Sequence, residues 1–211
     1  MLQVQNLCCE RGDRRLFSSL DFSLAPGSLL YIEGANGSGK TTLLRTICGL
    51  FTATSGEVKW QGQKTASLGD DFRKDLIYLG HHNAVKLDLT CLENLHFYAR
   101  LDQSDASEND LLDALEQMGL AGYEDLPVGT LSQGQKRRVS LARLISSNSR
   151  LWILDEPFTA LDVVAVDDLQ AIIANHVDTN NGMVILTTHQ EVALTSGQIQ
   201  HINLSSKGHS H

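Results

Sequence analysis

The sequence predicts an α/β fold with a parallel sheet, a β portion at the start of the chain and a small helical insert in the middle. Three patterns carry that prediction. Short apolar runs at residues 151–154 and 183–187 flank a helical pattern at 164–176, a βαβ unit whose strands should be parallel and buried. Residues 28–33, SLLYIE, meet a glycine-rich bend and then TTLLRTICGL at 41–50, where Leu43, Leu44 and Ile47 share one helical face. Between these units lies a stretch with helix-start signals and no strand alternation.

Taken in order, residues 2–7 and roughly 16–24 alternate as strands do, and Pro26-Gly27 separates them from the run at 28–33. Residues 54–76 read as short strands and turns, with a Ser55-Gly56 turn and a polar stretch at 67–71. Residues 77–79 read as another strand. From Thr90 the pattern becomes helical. Thr90 with Glu93 forms a capping box, and Ser107 with Asp110 repeats it ahead of Leu111, Leu112, Leu115 and Met118. Ser132 and Gln135 open a further helix carrying Val139, Leu141, Ala142 and Leu144. The helical insert therefore begins at 90, with its two capped helices over 90–120 and the third reaching about 145. Residues 1–207 read as one domain, followed by a polar tail at 208–211.

The chain has 211 residues, 42% of them hydrophobic, enough for one sizeable core. Its formal charge of -8 opposes a main role in wrapping nucleic acid, which requires Lys and Arg to neutralise phosphates. Arg11, Arg14 and Arg15, and the group Lys136, Arg137, Arg138 and Arg143, read as solvated faces, with interface ion pairs as the alternative. Cys8, Cys9, Cys48 and Cys91 show neither paired metal spacing nor disulfide density, which fits reducing cytosol. The first residues lack the basic start, apolar core and small-residue cleavage site of a secretory signal, and no apolar run of about 20 residues occurs, so a membrane connection is expected to run through a partner.

Gly34-Ala35-Asn36-Gly37-Ser38-Gly39-Lys40-Thr41 fits G-x-x-x-x-G-K-T between a strand and a helix, the setting in which that motif cradles phosphates. Glycines let backbone N–H groups wrap around the ligand, so residues Asn36, Gly37, Ser38, Gly39, Lys40, Thr41 and Thr42 are the candidate phosphate site. Lys40 is expected to reach the β and γ phosphates, and Thr41 to offer its hydroxyl to Mg²⁺. The apolar run ending in Asp155-Glu156 supplies the second half: Asp155 for the metal, Glu156 to polarise the attacking water. The bland alternatives are a glycine-rich turn with a solvated lysine and a helix-capping pair of carboxylates, neither of which explains the matched strand ends.

Leu131-Ser132-Gln133-Gly134-Gln135 is similar to the signature peptide of ATP-binding-cassette ATPases, which commonly has glycine where Gln133 stands. The phosphate loop, that peptide, Asp155-Glu156, Ala160-Leu161-Asp162 and Thr188-His189 follow in the order of the family, so the chain resembles it over nearly its whole length. The resemblance implies a P-loop ATP-binding-cassette nucleotide-binding domain with an N-terminal antiparallel β portion, ATP and Mg²⁺ as cofactors, and a head-to-tail homodimer. Ser132, Gly134 and Gln135 of one copy would cover the ATP of the other. Asp162 would link the two sites, and His189 would contact the γ-phosphate. His81 stands where the family has a metal-linked glutamine, with two plain surface histidines as the alternative reading. Where the family stacks an aromatic ring on adenine, this chain has Arg11, or Phe17 coming round from the next strand.

Within the family, the segments 78–101 and 131–144 most resemble ATPase subunits of bacterial cytochrome c maturation. That likeness implies a peripheral subunit on the cytoplasmic face of the inner membrane, docked through about residues 80–100 on integral membrane subunits that handle haem. Cys8-Cys9 lacks the arrangement of covalent haem attachment, and His209 and His211 fall in the polar tail. Two alternatives stay open: the ATPase of another small transporter, and a soluble cassette ATPase acting on DNA ends or ribosomes. The 91 positions from Lys40 to Leu131 leave no room for the long coiled coils of DNA-repair relatives.

Overall fold

The computed structural model describes residues 1–12, 14–188, 194 and 197–204. The first half runs β1 (Leu2–Arg11), β2 (Arg14–Leu24), β3 (Ser28–Glu33), α1 (Lys40–Ile47), β4 (Ser55–Trp60), β5 (Gln63–Lys64), α2 (Thr65–Leu68), α3 (Asp70–Lys74) and β6 (Leu76–Leu79). The second runs α4 (Cys91–Leu101), α5 (Glu108–Gln117), α6 (Gln133–Ile145), β7 (Leu151–Asp155), α7 (Val163–Asp178), β8 (Met183–Thr187) and β9 (Gln198–Asn203).

Two sheets result. The antiparallel one has the order β2-β1-β4-β5, and the parallel one β6-β7-β8-β3-β9. β7 and β8 are buried at every position, as apolar runs in a sheet covered on both faces must be. Alternate residues face opposite layers: Leu29, Tyr31, Trp152 and Leu154 pack toward the helical layer, while Leu30, Ile32, Leu151 and Ile153 pack toward α1 and the antiparallel sheet. The helical layer forms around Leu95, Leu111, Leu115, Val139 and Leu141, and all three expected capping boxes are present at Thr90, Ser107 and Ser132.

Three expectations need correction. The polar stretch expected as turns folds instead as α2 and α3, because Phe72 is buried against Trp60, whose indole N–H donates to Asp75 Oδ2 at 2.8 Å. Gly56 makes no turn. It lies inside β4 at φ +87°, and a Cβ there would stand 2.3 Å from the Asn6 carbonyl oxygen, at the register shift between Gln5 and Cys8. The arginine group of α6 is not a solvated face either. Arg137 and Arg143 are buried, Arg143 over the Tyr98 ring with its guanidinium 3.5 Å from the centroid. The edge strand β9 carried no distinct signal in the sequence. The polar tail at 208–211 lies outside the described residues.

Candidate active site

The site lies where β3, β7 and β8 end together. Register puts Thr187 of β8 beside Ile32 of β3 on one side and Asp155 of β7 on the other. The glycine loop leaving β3 and the carboxylates leaving β7 are thus held by one intervening strand, at the carboxyl edge where open parallel sheets place their ligands. The loop closes into α1 through Gly39 at φ +103°, a conformation open to glycine because Cβ crowding is absent, and a Cβ there would press on Leu16 at 3.1 Å. Lys40 is buried and folds back on its own loop, donating to Gly34 O at 2.7 Å and to Ala35 O at 3.4 Å.

Thr41 Oγ1 donates to Asp155 Oδ2 at 2.8 Å, and Thr187 Oγ1 donates to Asp155 Oδ1 at 2.8 Å. Thr187 Oγ1 also accepts from the Glu156 amide at 3.0 Å. A cavity of about 590 Å³ opens over these groups, lined by Asn36, Gly37, Gly39, Lys40, Thr41 and Thr42 from the loop and by Asp155 and Glu156 from the strand end. Arg11, Leu16, His81 and Thr159 complete its wall. A hydroxyl and a carboxylate oxygen in direct contact on the cavity wall form the oxygen donor pair that a magnesium ion with retained water and phosphate ligands takes, so the residues present fit that cation.

The sequence-predicted residues therefore fall into two groups. Asn36, Gly37, Gly39, Lys40, Thr41, Thr42, Asp155, Glu156, Arg11 and His81 share one cavity, and Ser38 belongs to the same loop without lining it. Ser132, Gly134 and Gln135 do not line it. They form the cap and first turn of α6, where Ser132 Oγ accepts from Gln135 N at 3.2 Å and Gln135 Oε1 accepts from Ser132 N at 2.9 Å. Gly134 is needed for closeness: a Cβ would sit 3.0 Å from Ala160 O. Phe17 is corrected: it is buried beneath Gly39 as part of the core, and of the residues near the end of β1 and the start of β2 it is Arg11 and Leu16 that line the cavity. His189 lies outside the described residues.

Asp162 caps α7 by accepting from Ala165 N at 2.9 Å and pairs with Arg138 of α6. The Ala165 N–H and then the Arg138 cation hold its carboxyl below the ordinary value. Sequence reasoning missed three supports. Leu16 and Thr159 gave no motif, and Thr187 read only as a strand end. Arg137, expected on a solvated face, is 3% exposed and directs its guanidinium at carbonyls of the Asp155–Pro157 turn.

The ABC transporter family pattern matches residues 17–159. The chain is 54% identical over 204 residues to the cytochrome c biogenesis ATP-binding export protein CcmA of Dechloromonas aromatica, covering 97% of this chain and 100% of the relative. It is 50% identical to the protein of the same name from Vibrio vulnificus, covering 97% and 99%. Among solved structures, the bacterial ABC transporter cassette MJ0796, determined as a dimer, superposes with a TM-score of 0.84 at 25% identity over 97% of this chain and 95% of that one. With a pattern that spans two thirds of the sequence and relatives half identical from end to end, the chain belongs to the ABC transporter ATPase family.

Proposed function

We propose that the chain is the ATP-hydrolysing subunit of a membrane complex for cytochrome c biogenesis, working as a homodimer with residues 1–207 forming a single cassette domain. The observation that carries the hydrolytic reading is the convergence of Lys40, Thr41, Asp155 and Glu156 on one cavity through the Thr187 register. The biological reading is supported by end-to-end similarity to proteins named for cytochrome c biogenesis. No helix among the described residues is long and apolar enough to cross a membrane. In this reading the subunit attaches peripherally on the cytoplasmic face of the inner membrane, to integral subunits that handle haem. Leu87 and Phe97, both exposed within the stretch 80–100, offer apolar contact for such a partner.

In this reading the loop amides from Asn36 to Thr42 and the start of α1 bind the phosphates, and Lys40 exchanges its loop carbonyls for the β and γ oxygens. Thr41 and Asp155, with His81 nearby, would hold Mg²⁺, which when bound neutralises charge developing on the phosphate oxygens. Glu156 accepts a proton from water as the new oxygen–phosphorus bond forms and the bond to the ADP oxygen breaks, giving ADP and phosphate. Ser132, Gly134 and Gln135 of a second copy cover the γ-phosphate with the amino end of α6, which is why they stand off the cavity within one chain. Arg11 lies against the base, Asp162 faces the dimer partner, and the family resemblance assigns the γ-phosphate contact to His189.

Glu156→Gln tests this directly. Phosphate release is expected to fall by about a hundredfold or more while ATP binding persists and the dimer accumulates, read by light scattering with ATP. Lys40→Ala should instead weaken ATP binding itself. Wild-type turnover in Glu156→Gln would end the assignment, and purification from membranes without any integral subunit would end the biological reading.

A further inference from the structure

Glu156 holds a left-handed backbone at φ +52°. Residues with a side chain avoid that region because Cβ crowds the neighbouring carbonyl, so it persists where the surroundings fix the peptide on both sides. On the amide side Thr187 Oγ1 accepts from Glu156 N at 3.0 Å. On the carbonyl side Arg137 Nη2 donates to Glu156 O at 2.9 Å. The same guanidinium reaches Pro157 O through Nε at 3.2 Å, Gly80 O through Nη1 at 3.2 Å and Asp155 O through Nη2 at 3.4 Å. Four carbonyls from two separate segments converge on one planar fork of donors, which a lysine ammonium cannot reproduce.

We propose that Arg137 is a positioning residue for hydrolysis, locking the Glu156 peptide in the conformation that aims its carboxylate into the cavity and tying the Gly80 peptide, and so His81, to the signature helix α6. The proposal rests on the reading of Glu156 as the proton acceptor. Arg137 follows Gln135 by two positions on the helix that the second copy's ATP is expected to meet, so a rotation of α6 would pull on both peptides at once. Its burial is costly for a cation and lowers its pKa, while Asp155 and Glu156 pull in the opposite direction. A guanidinium stays charged in such surroundings. A side chain kept only to fill space beneath α6 would need neither the charge nor the fork.

The test uses the full chain, purified with the membrane subunits that accompany it, and the variants Arg137→Lys and Arg137→Gln beside Lys136→Gln as a control for charge on α6. We expect kcat per folded molecule to drop about tenfold or more in both Arg137 variants while KM for ATP stays within about threefold, because the phosphate loop is untouched. Lys136→Gln should match the wild type. Wild-type kcat in Arg137→Gln overturns the proposal, as does a loss accounted for by unfolded protein alone. Failure of even Arg137→Lys to fold marks the residue as structural and overturns it too. Glu156→Gln measured alongside separates the two readings. If it is inactive while Arg137→Gln is not, the Arg137 proposal alone fails; if it turns over normally, both fail.

Discussion

At Thr187 one buried hydroxyl donates to Asp155 Oδ1 and accepts from the Glu156 amide, so the side chain fixes the metal-side carboxylate and the next peptide together. Valine has almost the same shape and neither bond. Thr187→Val would leave a part-buried amide and a buried carboxylate oxygen short of partners, at about 1–3 kcal/mol. For a chain of this size that corresponds to a fall in melting temperature of roughly 2–12 °C, read by a thermal scan. Turnover should fall further than stability predicts, since Asp155 Oδ2 then holds Thr41 without its counterweight. Unchanged turnover in Thr187→Val would mean that the carboxylate is positioned by the strand backbone alone.

At the scale of elements, α5 and α6 start with the same device and differ in what the start does. Ser107 and Ser132 each accept from the amide three residues on, while the side chain of that residue returns to the cap amide. Ser107→Ala and Ser132→Ala should each cost about 1 kcal/mol of stability. ATP turnover per folded molecule should fall in Ser132→Ala only, because only that helix start is proposed to meet a second copy's γ-phosphate. Equal turnover in the two variants would detach α6 from the reaction. These helix starts were legible in the sequence because a capping box is contained in four consecutive residues, and the phosphate loop was legible for the same local reason. The positions that were not legible depend on partners distant in the chain. Gly56 reads as a turn in sequence because the Asn6 carbonyl that crowds it lies 50 positions back, and Arg137 reads as solvated because its carbonyl partners lie 18 to 20 positions ahead and 57 behind. β9 gains its pairing from β3, and its alternating exposure leaves it without the apolar run that marked β7 and β8.

Stability of the whole molecule against acid brings in a group far from the phosphate loop. His176 of α7 is stacked on Trp152 of β7, ring centroids 3.7 Å apart and planes 7° from parallel, and both are buried. The ring leaves no room behind it, since a Cβ on Gly182 would come within 2.2 Å of Nε2. Burial pushes its pKa down from 6.5 to about 4, opposed by a bond to the Arg150 backbone. The unfolded chain therefore binds this proton more readily than the folded one. The contribution is intact above pH 6.5 and is lost as pH falls from 6.5 toward 4, with a ceiling of about 3 kcal/mol. Carboxylates also begin to titrate near the lower end, so the measurement is a difference. Urea unfolding of the wild type and of His176→Phe, which keeps a ring on Trp152, should be compared at pH 7 and pH 4.5. The stability gap between them should shift toward the phenylalanine variant by about 2 kcal/mol or more as pH drops. A gap that stays constant across that range would show that His176 takes up its proton inside the fold as easily as in the unfolded chain, and that the α7–β7 contact tolerates a charge.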